Sequence, residues 1–218
     1  MPKTIIFDTE TTGKNEPKII EAAWLELASI NPFEITDGFC ERYNPGKPIE
    51  LGALATHHIL DEELANCKPT SEFKLPSDTE YIIGHNVDYD WNVSGNPNVK
   101  RICTLALSRK VWANLDSYSQ SALLYHLDRE NARQQLKHAH SALADVGICA
   151  VILENICHSL NIESIEQLWT ASEAARIPTV MPFGKHKGLP LSEVPNDYKA
   201  WLLGTGDLDP YLRKALEA

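Results

Sequence analysis

The segment TIIFDTETTG, residues 4–13, runs from an apolar stretch into two carboxylates and then a glycine. Residues 4–8 form a short β-rich run, and the two-residue period of a strand puts Asp8 and Glu10 on one face. Two carboxylates side by side, just beyond hydrophobic residues, repel each other unless they are protonated or bridged by a cation. A hard divalent ion with oxygen ligands resolves that repulsion. An Asp-x-Glu at a strand end is also common as a solvated edge, so the pair gains meaning only from partners elsewhere in the chain.

Outward from this segment, IIEAAWLELASI at 19–30 is long enough for a second strand, although its mixed period leaves a helix open. Asp37-Gly38 between two apolar runs predicts a hairpin turn into a third strand near 39–43. Three consecutive antiparallel strands result. Beyond the Pro/Gly-bearing NPGKP, short helical pieces precede a buried strand at YIIG, 81–84, and a helix from Asn86. Ile102–Trp112 and Ser119–Leu127 read as further helices. The longest helix is Ser141–Leu160, whose apolar residues recur at three- and four-residue spacings. The class is α/β, with a mixed central sheet flanked by helices. A second, smaller unit follows Arg176, where IPTVMPFGKHKGLPLSEVP gathers four of the thirteen prolines ahead of amphipathic segments at 197–203 and 210–216. The boundary is expected between 162 and 178.

The bulk composition is that of a soluble globular chain: 218 residues, 43% hydrophobic and 23% charged. Its apolar runs are short, and an acidic pair interrupts the N-terminus before a signal-peptide core could form, so the expected location is cytoplasmic, with no membrane partner. Five scattered cysteines without a CxxC pair suggest neither a disulfide framework nor a zinc cluster. A net charge of −10 speaks against a protein that coats nucleic acid electrostatically. It does not exclude an enzyme that grips one strand end through metal ions, each of which offsets two carboxylates.

Two further motifs share the character of the first. GHNVDYD, 84–90, follows an apolar strand and brings Asp88 and Asp90, while HSALADVGI, 140–148, opens the longest helix. In one continuous helix His140 and Asp145 would stand roughly 140° apart and could not share a site. They can share one if His140 lies in the loop before the helix and Asp145 one turn in, with Ser141 as N-cap. Separately, Lys185 and Lys187 flank His186 in a Gly-bounded loop beside Phe183, a set able to grip phosphates and stack a base, or equally a charged surface turn. Trp112, Trp169 and Trp201 read as core.

The order Asp-x-Glu, then Asn-x-x-Tyr-Asp, then His-x4-Asp resembles the three motifs of the DEDDh 3′→5′ exonucleases over about residues 3–158. The segments IIEAAW and ALATHHI resemble that family as well, and FGKHKGLPLSEVPNDYKAWLL at 183–203 is similar to the C-terminal region of its exonuclease X-like group. Tyr89 stands where the family more often has Phe, and Lys14 where an apolar wedge residue is frequent. The resemblance implies a ribonuclease H-like fold, an exonuclease domain over 1–162 and a small C-terminal region over 178–218. It implies two divalent cations, Mg²⁺ with Mn²⁺ as a substitute, on Asp8, Glu10, Asp90 and Asp145, with His140 as general base. Spacing from Asn86 selects Asp90 over Asp88. Thr9, Thr11 and Thr12 would offer backbone amides to the terminal nucleotide, and His57 and Asn86 would lie near the substrate end. Two cations about 3.5–4 Å apart neutralise charge on both sides of a phosphodiester under hydrolysis. A histidine of ordinary pKa, about 6.5, can take the proton of the attacking water at neutral pH. The expected partner is a nucleic acid 3′ end, with DNA favoured by the C-terminal segment. An RNA 3′-end trimmer of the ribonuclease T type and a non-catalytic end-binding module are the rivals, and the oligomeric state stays open.

Overall fold

The computed structural model describes residues 2–218 and, at His138, the backbone. In chain order its elements are β1 (Lys3–Thr11), β2 (Ile19–Ile30), β3 (Phe33–Asn44), α1 (Leu51–His57), α2 (Asp61–Leu64), β4 (Lys68–Pro69), β5 (Thr79–Gly84), α3 (Asp88–Val93), β6 (Lys100–Cys103), α4 (Thr104–Val111), α5 (Gln120–Leu127), α6 (Arg129–Gln135), α7 (Ala142–Leu160), α8 (Ile165–Arg176), α9 (Asn196–Leu203) and α10 (Pro210–Glu217). Compactness divides the chain into a first unit ending at Ser172 and a second from Glu173 to Ala218.

The first unit is built on one mixed sheet in the order β4-β3-β2-β1-β5-β6. β1 pairs antiparallel with β2, and β2 with β3; β1 with β5, and β5 with β6, are parallel. Ile5, Ile6 and Phe7 in sequence are all buried, as are Tyr81, Ile82 and Ile83, so β1 and β5 are covered on both faces. That continuous burial explains why neither strand shows a strict alternation. Helix α7 packs on β1 and β2, with α4 and α5 beside it. It is long and apolar enough, at a mean hydropathy of 1.5, to cross a membrane. Here Val146, Ile148, Cys149, Ile152, Leu153 and Ile156 are buried within the fold instead.

Several expectations are corrected. The first hairpin reverses at Asn31-Pro32, where Ile30 faces Phe33, and Asp37-Gly38 lies inside β3 with Gly38 opposite Leu25. A twelve-residue β2 demands a partner of equal length, and that outweighs the local turn preference of Asp-Gly. Ile102 and Cys103 belong to β6 rather than to a helix. Four residues suffice there because β5 supplies the ladder and α8 supplies an acceptor: the buried Ser172 hydroxyl oxygen accepts the Cys103 N–H at 2.8 Å. The helix expected from Asn86 begins at Asp88; Asn86 takes a left-handed φ of 74° and its carbonyl accepts the Tyr89 N–H. Trp201, read as core, is 61% exposed.

The second unit has its own apolar centre of Met181, Leu191, Val194, Leu202 and Leu212. An antiparallel bridge between Val180 and Pro190 closes the loop between them.

Replacing Ser172 by Ala leaves the buried Cys103 N–H without an acceptor, and unfolding in urea should show a loss of about 1–3 kcal/mol. An unchanged midpoint would mean that this contact does not anchor β6.

Candidate active site

The site grows from the middle of the sheet. β1 holds Asp8 and Glu10 in one strand, two residues apart and therefore on one face. α7 brings Asp145 in its first turn, and oxygens of Asp8, Glu10 and Asp145 all lie within 4.8 Å of one another. α3 supplies Asp90, 5% exposed, whose Oδ1 accepts both the Thr9 N–H (3.0 Å) and the Thr9 hydroxyl (2.7 Å). Asp88 faces away into an ion pair with Arg101.

The electrostatics follow from crowding four acids into a poorly hydrated place. Burial first, and then repulsion from Asp90, Asp145, Glu10 and Glu21, pushes Asp8 well above the usual carboxylate range. The same causes push Glu10 up to about 8. Burial pushes Asp90 up to about 7 against the opposing hydrogen bonds of Thr9. Asp145 is raised by burial, against the pull of the His140 N–H and charge. A hard cation relieves this cluster where protons otherwise must. The all-oxygen donor set fits such an ion.

His140 lies outside α7, as its spacing from Asp145 requires, with a left-handed φ of 67° and an exposed side chain. Ser141 caps the helix, its hydroxyl accepting the Ala144 N–H. The contact drawn between His140 and Asp145 is a long one, from the His140 backbone N–H to Oδ1 at 3.4 Å; the carboxylate cluster does not include the imidazole.

Beside the acids is a cavity of about 550 Å³ lined by Thr9, Glu10, Thr11, Gly13, Lys14, Glu50, Gly52, Ala53, Thr56, His57 and Tyr89. Of the residues expected at the substrate, Thr9, Thr11 and His57 line it. Thr12 and Asn86 do not. The amides of Thr9 and Thr12, expected to face a nucleotide, are already taken by Asp90 and by the Lys18 carbonyl. His57 is buried; its Nδ1 accepts the Ile59 N–H at 3.0 Å, so the ring proton sits on the buried Nε2. Burial lowers its pKa while the Thr11 backbone raises it. His85 bonds locally to the Thr104 hydroxyl and the Tyr118 carbonyl. Lys185 and Lys187 belong to the second unit.

Supporting roles for three residues were not legible in the sequence. Glu21 on β2 is 4% exposed; its Oε1 accepts from Arg42 Nε and its Oε2 from the Ala142 N–H, the first of α7, both at 2.9 Å. A lone acid inside the apolar run IIEAAW was the available signal. Glu50 accepts the Lys14 and Asn15 N–H groups and fills the space where a side chain on Gly13 (φ 138°) would lie. The Tyr89 hydroxyl bonds to Thr11 Oγ1 at 2.6 Å, a contact that Phe could not make.

Residues 174–212 match a family described as a putative quorum-sensing-regulated virulence factor. Exodeoxyribonuclease 10 of Escherichia coli (strain K12) is 30% identical, over 97% of this chain and 96% of its own length. The epsilon subunit of DNA polymerase III from Pasteurella multocida (strain Pm70) is also 30% identical, over 68% of this chain and 65% of that protein. Among solved structures, exonuclease X in complex with 5′ overhanging duplex DNA superimposes with a TM-score of 0.60 at 26% identity, covering 78% of this chain and 99% of that one. The chain therefore belongs to the DEDDh family of metal-dependent 3′→5′ exonucleases, with their ribonuclease H-like fold.

Proposed function

We propose that this chain removes nucleotides one at a time from DNA 3′ ends in the cytoplasm, releasing nucleoside 5′-monophosphates by two-metal-ion hydrolysis, in repair or recombination. The observation that carries this reading is the convergence of Asp8, Glu10 and Asp145 oxygens within 4.8 Å, with Asp90 buried close enough to raise the pKa of Asp8. DNA is the substrate acted on by the full-length relative, by its name, and the strand bound in the exonuclease X complex.

Asp8, Glu10 and Asp145, with the neighbouring Asp90, would hold the two cations. Mg²⁺ is the natural ion for such hard oxygen ligands, with Mn²⁺ able to substitute. When bound, the cations supply charge neutralisation at the phosphate and lower the pKa of water. The side chains do the rest. His140, exposed ahead of α7, accepts the proton of the attacking water. Thr9 fixes the orientation of Asp90 with two hydrogen bonds. The cavity between Thr11, Lys14, His57 and Tyr89 receives the terminal nucleotide. Asn86 and Thr12 act at one remove, by shaping the turn before α3 and the end of β1.

Stability should report the cation site independently of activity. Carboxyl groups whose pKa is raised by folding bind more protons in the native state than in the unfolded one, so metal-free stability falls as pH rises. The fall spans about pH 4, where unfolded carboxyls titrate, to about 8, where Glu10 does. In EDTA the Tm should drop between pH 5 and 8.5, and Mg²⁺ should raise it more at pH 8.5 than at pH 5. Asp8→Asn should raise the metal-free Tm at pH 8 while cutting cleavage about a thousandfold, several kcal/mol of lost transition-state stabilisation at about 1.4 kcal/mol per decade. A variant that cleaves normally would remove Asp8 from the site.

His140→Ala, at an exposed position, should leave the Tm unchanged and lower kcat by about 10²–10⁴. A pH-rate profile of the same shape in both proteins would assign the general base elsewhere.

Matched single-stranded DNA and RNA oligomers carrying a 5′ label should separate the substrates: a ladder shortening from the 3′ end on DNA is expected. Degradation of RNA alone would overturn the DNA reading in favour of a ribonuclease T-type activity.

A further inference from the structure

The second unit differs from the first in charge. Residues 173–218 carry six Lys/Arg against six Asp/Glu, so the whole net charge of −10 resides in the first unit. Within the second unit the charges are segregated: from Ala174 to Ser192 there is no acid, while Arg176, Lys185 and Lys187 are all there. Neither Lys185 nor Lys187 makes an ion pair among the described residues, and both are exposed.

The loop that presents them is held rigidly. Gly184 and Gly188 take φ values of 74° and 86°, in the left-handed region that favours glycine. The Gly188 N–H bonds to the Met181 carbonyl at 2.8 Å, the Met181 N–H to the Leu189 carbonyl at 2.8 Å, and the Val180–Pro190 bridge closes the base. Gly184 must lack a side chain because a Cβ there would stand 2.6 Å from the Tyr198 hydroxyl. This close approach seats the loop on α9 and aligns three rings. His186 meets Tyr198 edge-on at 4.7 Å between centroids, and Tyr198 meets Trp201 at 5.4 Å. Trp201 is 61% exposed and Phe183, at the loop's entrance, 45% exposed. Exposed rings and lysines without ion-pair partners on one small unit match the bases and phosphates of a nucleic acid strand.

We infer that the second unit carries a nucleic-acid-binding surface of its own, on which Phe183 and Trp201 stack bases of a single strand while Lys185 and Lys187 hold its phosphates. A single strand fits because its bases are free to lie on the rings, while its backbone meets the two lysines. A duplex buries those base faces and offers only the phosphates. The inference rests on the reading of the chain as a nuclease, yet its site uses no metal ion.

The test measures binding of fluorescein-labelled dT20 to the full chain in EDTA, where hydrolysis is off. Trp201→Ala should weaken binding about tenfold or more, the range of one lost base stack, and Trp201→Phe should restore most of it. The Lys185→Ala/Lys187→Ala double variant should flatten the dependence of log Kd on log salt by about 1.4, from two phosphates at about 0.7 each. Equal Kd values and salt slopes in all variants would overturn the surface. Loss with the lysine pair but not with Trp201→Ala would make it a plain polyanion contact and overturn the stacking. Failure of the DNA-hydrolysis reading is separable: a chain that cleaves no DNA yet loses dT20 with Trp201→Ala keeps this surface, and a cleaving chain indifferent to these variants loses only it.

Discussion

Glu21 is the contact on which the arrangement of the site depends. Its carboxylate sits in the sheet and accepts hydrogen bonds from Arg42 on the neighbouring strand and from the Ala142 N–H that opens α7. In register it lies opposite Glu10 on one side and Arg42 on the other. A helix begins with unpaired N–H groups and a partial positive charge, so a buried carboxylate is a strong anchor for it. Fixing Ala142 fixes Asp145 three residues on and the loop position of His140 two residues before. The sheet thereby dictates where the last acid of the cluster stands.

The same arrangement concentrates negative charge. Glu21 raises the proton affinity of Asp8, Glu10 and Asp145, and Arg42 offsets only part of it, being shared with Glu63. Like charges facing each other across antiparallel strands are destabilising. A fold that tolerates them holds its metal site in a poised, unfavourable state when empty of cations. Affinity for divalent ions and a metal-free stability cost are two readings of one electrostatic fact. Threonines on β1 temper the cost locally, since Thr9 commits both its amide and its hydroxyl to Asp90.

The fold's two units solve different problems with different materials. The first buries long β-branched strands around carboxylates. The second has only a small apolar centre, and shapes a loop with two left-handed glycines and a tyrosine packed where a side chain would be.

Much of this is legible in the sequence itself. The Asp8/Glu10 pair depends only on the two-residue period of a strand, the Ser141 cap on local hydrogen bonding, and the exclusion of His140 from α7 on the 100° turn of a helix; each is a short-range rule that the sequence states directly. What the tertiary structure decided involves partners far apart in the chain. The reversal at Asn31-Pro32 follows from the length of β2 and not from Asp37-Gly38, and β6 exists because β5 and Ser172 satisfy its backbone. The amides of Thr9 and Thr12 looked available to a nucleotide until the fold supplied Asp90 and the Lys18 carbonyl as acceptors. Glu21 in its apolar strand could be read as a buried charge, but its role needs Ala142, 121 residues away. Sequence thus determined which acids could meet and on which face. Only the packing of α7 on the sheet determined that they do, because the hydrogen bond that seats the helix joins groups no local pattern connects.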